Sequence, residues 1–304
     1  MIILGINISH HTSICIYEDG KIKKLYNEER FNLEKNWAPN GKNCEILQSI
    51  NKKINFKPNF VCYASASGAS TSDREYKTIK QIQKQLNHPP YFFDNSKHHL
   101  YHALTCFYFS KYNEAAAIVV DGGGAVSKRF SPYQEMQSIY TVNKKSIVCH
   151  FKHNSNRMYQ FPEFCNEETI KNYANNYLNV YSQKAIGGRA FVEGCEKIGM
   201  KGTDAGKLMG LSSYANSKEK YNLNYDHVKI ANDIQIQTFN ETCDLIEIAK
   251  TKSKNILLSG GYFLNCSNNF KYVKKYPDLN FFVDPIPNDA GTCIGACVYY
   301  DNYK

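Results

Sequence analysis

Three histidines fall within five positions of the stretch KHHLYHALTCFYFS, which begins at Lys97 and runs into an apolar segment. On a helix, His98 and His102 lie at i and i+4 on one face, within reach of a single metal ion, and His99 points elsewhere. Imidazoles at this spacing commonly bind a divalent cation, and surface histidines on an ordinary helix are the plain alternative. Two carboxylates could join them. Asp121 ends the apolar run AAAIVVD, which places it at the C-terminal edge of a strand, and Asp289 lies in DPIPNDAG, between a strand and a glycine-started helix. Two neutral imidazoles with two carboxylates form a mixed nitrogen–oxygen set suited to iron, zinc, manganese or magnesium.

Other residues could serve a phosphate. Asp121 is followed by Gly122, Gly123 and a third glycine, and such a turn can wrap phosphate with backbone N–H groups or be simply structural. Gly260 and Gly261 follow the strand NILLS and open the same two readings. Lys207 in AGKLMGL could pair with phosphate or be a solvated lysine at a helix start. His10 and His11, read alone, are turn histidines.

The elements that must position these groups come in two similar series. In IILGINISHHTSICIYEDGKIKKLYNEER a β-rich run, a polar turn, a second run, the Asp19-Gly20 turn and a third run follow one another. Asp-Gly between apolar alternations signals a hairpin. The stretch from AAAIVVDGGG to SIVCHF repeats that order, with a second turn near Asn143. Helices are expected at Asn43 to Lys53, Asp73 to Leu86 and His98 to Lys111. A further helix is expected in NDIQIQTFNETCDLIEIAKTK, where Ile234, Phe239, Cys243, Ile246 and Ile248 follow a helical period. Duplicated β-β-β-α-β-α units around a central nucleotide cleft are the plan of the actin-like ATPase architecture, an α/β fold. Residues 1–112 are expected as the first subdomain and 113–304 as the second, with a peripheral insertion at about 153–200.

Composition narrows the classes. The 304 residues are 42% hydrophobic and 21% charged, the balance of a globular protein rather than a disordered one. No apolar run approaches the roughly 20 residues that span a bilayer. The opening MIILGINI lacks a basic n-region, so it reads as a buried strand rather than a signal peptide, and a cytoplasmic location is expected. The eleven cysteines are scattered without a CxxC pair, which fits reduced thiols. The formal charge of +9 serves solubility or an anionic partner, either a nucleotide or a polyanion such as nucleic acid.

From first strand to last helix, the chain resembles the catalytic domain of the NodU-type O-carbamoyltransferases, relatives of the enzyme that makes threonylcarbamoyladenosine in tRNA. Five segments carry the resemblance in order: GINISHHTSICIYEDGKI; NEERFNLEK; HHLYHALTCFYFS with AAAIVVDGGG; GKLMGLSSYA; and LSGGYFLNCSNN with PIPNDAGTCIGA. It implies His98, His102, Asp121 and Asp289 as metal ligands, with His99 the alternative to His98. It also implies ATP and carbamoyl phosphate as substrates, and a carbamoyl adenylate whose carbamoyl group passes to an acceptor hydroxyl. Fe2+ is the metal it favours, with Mg2+, Mn2+ and Zn2+ open.

The resemblance further casts His10 and Lys35 as catalytic residues at the carbamoyl carbonyl, where neutralising oxyanion charge is often the largest catalytic term. Gly122, Gly123, Lys207, Gly260, Gly261 and Asn265 become nucleotide contacts, and the Tyr/Asn-rich stretch from Tyr159 to Tyr181 becomes a place for the acceptor. Glu28, Glu29 and Arg30 are expected to shape the strand end through ion pairs. His11 stands where the family has Asp, and Ala205 where it has Glu, which places local substrate contacts in question. The YrdC-like domain that makes the adenylate is expected to be missing after Lys304, its function supplied by a separate YrdC-like partner. The acceptor could be a small molecule or a nucleoside. A nucleic-acid modifying enzyme and a non-catalytic nucleotide-binding subunit are the alternatives.

Overall fold

A computed structural model describes residues 1–39, 47–53, 57–66, 71–126, 133–156, 170–174, 176–217 and 222–304. The Asp-Gly signal makes the hairpin it should. Asp19 and Gly20 both take positive φ, 48° and 76°, as a two-residue turn matching the strand twist requires. It joins β2 (Ser13–Glu18) to β3 (Lys21–Asn27). With β1 (Ile2–Asn7), β4 (Phe60–Ala64) and β5 (Tyr91–Phe93) they form a sheet of order β3-β2-β1-β4-β5. Three helices accompany it: α1 (Glu29–Asn32), α2 (Gln48–Lys53) and α3 (Thr71–Gln85). Residues 43–46 of the first expected helix lie outside the described residues.

After α4 (His98–Ser110) a second sheet begins with β6 (Glu114–Val120), β7 (Tyr133–Asn143) and β8 (Ile147–Asn156). It is completed by β9 (Ile170–Ala174), β10 (Tyr177–Ser182), β11 (Asn255–Ser259) and β12 (Asn280–Val283). Its order is β12-β11-β6-β7-β8-β10-β9, so β8-β7-β6-β11-β12 repeats the first sheet strand for strand. This is the duplicated unit read from the sequence, and the fold is actin-like. Its helices are α5 (Gly187–Lys197), α6 (Ala205–Leu211), α7 (Tyr225–Ala249), α8 (Cys266–Lys275) and α9 (Thr292–Tyr303).

Both faces of β6 are covered, which is why AAAIVV is continuously apolar rather than alternating. Ala115, Ala117 and Val119 join α4 and α9 in the core between the sheets, while Ala116, Ile118 and Val120 face the cluster built with α5 and α7. Leu4, Ile6, Val61 and Tyr63 pack with Ile79 and Ile82 of α3 on the outer side of the first sheet. The central helices approach closely. A Cβ on Gly295 of α9 would lie 2.0 Å from the Tyr101 carbonyl oxygen of α4, so only glycine fits there.

One part of the expected domain plan changes. The final helix α9 packs on β1, β2 and β4 as well as on α4, so a segment assigned to the second subdomain returns to the first sheet. Where it is described, the expected insertion at about 153–200 extends one end of the second sheet and adds a helix to it. Residues 153–156 belong to β8, β10 runs parallel to β8, and α5 packs on α7 and β7. Residues 157–169 of it, including Tyr159, lie outside the described residues. The described part of the stretch from Tyr159 to Tyr181 comprises β9, the edge strand of the second sheet, and β10 beside it. No described helix is long and apolar enough to cross a membrane. The nine cysteines among the described residues are all free.

Candidate metal centre

The helix starting at His98 brings Nε2 of His98 and Nε2 of His102 within 3.2 Å of each other, as the i, i+4 spacing demands. Asp121 follows β6, and Asp289 opens the turn before α9. Both carboxylates reach the imidazoles: Asp121 Oδ2 lies 3.3 Å from His98 Nε2, and Asp289 Oδ1 lies 3.6 Å from His98 Nε2 and 3.5 Å from His102 Nε2. All four ligand atoms lie within 4.8 Å of one another, and all four residues are buried. A tetrahedral ion with bonds of about 2.1 Å separates its ligand atoms by about 3.4 Å, so the cluster has the size such an ion needs.

The remaining oxygens are held in place. Asp121 Oδ1 accepts from the Gly261 N–H at 3.0 Å. Asp289 Oδ2 lies 3.1 Å from Ser9 Oγ and 3.4 Å from His10 Nε2, both in the first hairpin loop. Three chain segments therefore supply ligands, and two more, the turn at Gly261 and the loop between β1 and β2, steady them. Asp284 in the same DPIPND loop stands outside the group, accepting from Ser259 Oγ at 2.6 Å and from the Ile286 N–H at 2.9 Å.

The charges suit a cation. Burial pushes the Asp121 carboxyl up, but the hydrogen bond from His98 and the charges of His102 and His98 outweigh it and hold it well below the usual carboxylate range. Burial likewise opposes ionisation of Asp289, yet the neighbouring His10 and His98 charges leave its carboxyl depressed. Two ionised carboxylates and two imidazole lone pairs converging in a buried pocket fit a divalent metal of the iron, zinc or manganese type. Neither His98 Nδ1 nor His102 Nδ1 has a hydrogen-bond partner among the described residues, so the helix and its packing orient both rings.

His99 faces away from this group, its Nδ1 2.9 Å from Ser138 Oγ, which leaves His98 and His102 as the pair. His10, with its side chain 52% exposed, borders both the cluster and the open cleft. A side chain at Gly122 would enter open space. Gly260 adopts φ of 98° and a Cβ there would lie 2.3 Å from the Val120 carbonyl oxygen. With Gly261 bound to Asp121, this pair serves close strand packing and carboxylate placement.

Lys207 Nζ sits 2.8 Å from Asp204 Oδ1 with its side chain 70% exposed, away from the four-ligand group. The Lys207 hydrogen bond holds the Asp204 carboxyl below its usual range, with a small further contribution from the charge of Lys35.

Asn265 departs from its expected role. It is buried, its Nδ2 donates to Gln235 Oε1 at 2.9 Å, and its Oδ1 accepts from Gln235 Nε2 and from the Asn268 N–H. Both halves of the amide are occupied in capping α8 and joining it to α7. At the end of β3, Glu28 accepts from Ser49 N–H at 2.9 Å and Glu29 from Asn36 N–H at 3.1 Å. Ser9 was missed, though it adjoins His10 in ISHHT and a hydroxyl there could have been flagged. Gln235 carried no sequence signal, being an amide within a helical repeat.

Comparison with known proteins relates the chain to carbamoyltransferases. Residues 224–298 match the family described as carbamoyltransferase N-terminus, a segment running from the start of α7 into α9 and containing Asp289. An uncharacterized protein of Methanocaldococcus jannaschii is 25% identical over 335 residues, covering 97% of this chain and 56% of its own length. Full-length HypF, solved in a phosphate- and nucleotide-bound form, superposes with a TM-score of 0.58 at 17% identity, covering 99% of this chain and 55% of its own. HypF of T. kodakarensis gives 0.61 at 11% identity, with 99% and 48% covered. A ROK hexokinase from Thermus thermophilus gives 0.55 at 10% identity, with 99% and 98% covered, and it shares the actin-like fold. The chain thus spans about half the length of the curated relative and of the HypF chains, at 56%, 55% and 48%.

Proposed function

We propose that this chain is the transfer module of an ATP-dependent O-carbamoyltransferase, which moves a carbamoyl group from carbamoyl adenylate to an acceptor hydroxyl. The observation that carries the reading is the buried His98–His102–Asp121–Asp289 group opening toward His10, whose Nε2 lies 3.4 Å from Asp289. The carbamoyltransferase match across Asp289 supports it.

A divalent ion at these four groups, Fe2+ first among the candidates, supplies positive charge beside the nucleotide phosphate. Gly122 and Gly123 offer backbone N–H groups to the same phosphates, and Lys207 and Lys35 add charge at the cleft side. His10, with Nε2–H turned to Asp289, keeps the Nδ1 lone pair for the acceptor's proton. The acceptor oxygen bonds to the carbamoyl carbon, the carbon–oxygen bond to the adenylate phosphate breaks, and AMP leaves with the electron pair. Lys35 stabilises the carbonyl oxygen as it gains charge.

The adenylate is assigned to a separate YrdC-like partner acting on carbamoyl phosphate and ATP, in the cytoplasm. Metal-loaded protein mixed with carbamoyl phosphate and ATP should form no carbamoyl adenylate alone. With the partner and an acceptor, AMP and carbamate ester should accumulate together. Adenylate formation by the chain alone overturns this division of labour, and absence of product with partner and a panel of hydroxyl acceptors overturns the transfer role. The formal charge of +9 favours a second reading, a nucleic-acid acceptor such as tRNA. Binding to RNA that weakens steeply with salt supports that reading, and salt-independent turnover on small acceptors removes it.

A further inference from the structure

We infer that His99 is a positioning residue that sets how closely the glycine turn 122–124 approaches the metal helix. The inference rests on the reading that this turn holds nucleotide phosphate. His99 is wholly buried on α4, one residue from the ligand His98. Ser138 Oγ donates to Glu135 Oε1 at 2.8 Å, so the same oxygen accepts from His99 Nδ1–H at 2.9 Å. That tautomer leaves the Nε2 of His99 as a lone pair without a hydrogen-bond partner among the described residues. Glu135 Oε1 is in turn anchored by Lys152 Nζ at 2.5 Å. A chain of side chains thus runs from β8 through β7 to α4 and ends on the ring of His99.

The ring edge abuts the glycine turn. A methyl group at Gly124 would lie 2.7 Å from His99 Cδ2 and 2.8 Å from Nε2, inside contact distance. The turn is also pinned by β7, because the Gly124 N–H donates to the Glu135 carbonyl at 2.7 Å and the Asp121 N–H donates to the Met136 carbonyl at 3.0 Å. With β7 holding Asp121 and Gly124 and the His99 ring abutting Gly124, the intervening Gly122 and Gly123 are fixed relative to Asp121. The same helix therefore places the metal ligands and the phosphate turn in one register, which oriented phosphate binding requires. Glu135, which links the two restraints through both its backbone and its side chain, is where the chain and the turn meet.

The test compares wild type with His99→Asn, Gly124→Ala and the double variant. His99→Asn keeps a polar group where Nδ1 meets Ser138 and removes the ring edge facing Gly124. Three quantities are measured: bound metal per chain by elemental analysis, ADP affinity by calorimetry, and melting temperature. All variants should retain wild-type metal content. Gly124→Ala should weaken ADP binding by about 10-fold or more and His99→Asn by a few-fold, about the range that displaced binding groups cost. The double variant should recover to the level of His99→Asn, since the added methyl then occupies the space the ring has left. If Gly124→Ala does not fold, the double variant should fold. Losses that add in the double variant, or a double variant that stays unfolded, overturn the inference, as does loss of metal in His99→Asn. A wild-type chain that binds metal yet no ADP overturns the nucleotide reading itself.

Discussion

The buried histidine–aspartate group and the exposed lysine pair both serve the proposed reaction, yet they are built in opposite ways. His98, His102 and Asp289 are at most 1% exposed, and their ligand atoms are set by a helix, a strand end and a capped turn. Lys207 is 70% exposed and held by one ion pair within its own helix start. Fixed geometry in a low-dielectric pocket makes charge expensive to leave unpaired, whereas a long solvated side chain adapts at little cost. The difference predicts that substitutions in the first group remove a function outright and that loss of Lys207 only tunes it.

The largest effect is expected at His102. His102→Ala removes one of four ligands, and protein purified without oxygen should hold less than about one tenth of the wild-type metal, with consumption of supplied carbamoyl adenylate falling by about 100-fold or more. Retention of full metal content in this variant would break the contrast at its strong end. His10 stands at the boundary, touching Asp289 yet half open to the cleft. His10→Asn should therefore keep the metal while lowering turnover of supplied adenylate by roughly 100-fold, the usual worth of a general base. Equal loss of metal and turnover would move His10 into the ligand group.

Burial alone, without a metal role, gives an intermediate case at His153. Burial pushes its imidazole down to about 4, and its Nε2 lies 2.8 Å from Ser182 Oγ. In the unfolded chain the group takes its proton near its ordinary value of about 6.5. Between those values the unfolded state binds more protons, so stability is full above about pH 6.5 and falls as pH drops toward 4. His153→Gln should flatten that segment of the stability–pH curve by roughly 3 kcal/mol at most, measured by urea unfolding at pH 7 and pH 4.5. An unchanged slope would show that His153 is not held neutral by its surroundings.

The same distinction explains what could be read from the sequence. A helix fixes the relation of His98 to His102 within one turn, and Asp-Gly carries its turn geometry in two residues, so both were legible from local spacing. Asp121 was legible as a strand-end carboxylate and Asp289 as a loop carboxylate ahead of a helix, although their convergence needed the resemblance that ordered the five segments. Asn265 was not legible. An amide after a glycine turn has the same appearance whether it faces a ribose or meets Gln235 on a helix 30 positions earlier. The return of α9 to the first sheet was hidden for a similar reason, because a buried apolar helix does not name the sheet it covers. The glycine at position 295 records the close approach to α4, but only the structure supplies the carbonyl that it clears.

Lys207 closes the series with the smallest expected effect. Its contact with Asp204 is an i, i+3 pair on an exposed surface, where desolvation is slight and side-chain entropy opposes a single geometry. Lys207→Ala should change stability by less than about 1 kcal/mol and leave metal content intact. The charge of Lys35 also acts on Asp204, so removing Lys207 leaves a cation in its neighbourhood, and nucleotide attraction should persist in weakened form. ADP affinity is expected to fall only a few-fold, and that loss should shrink as salt rises from 50 to 300 mM, since exposed charges more than a Debye length of about 10 Å apart are screened. A loss that persists at high salt would mean Lys207 makes a direct, desolvated contact with phosphate. It would then have to leave Asp204 when nucleotide enters, and the lysine would belong with the fixed groups after all.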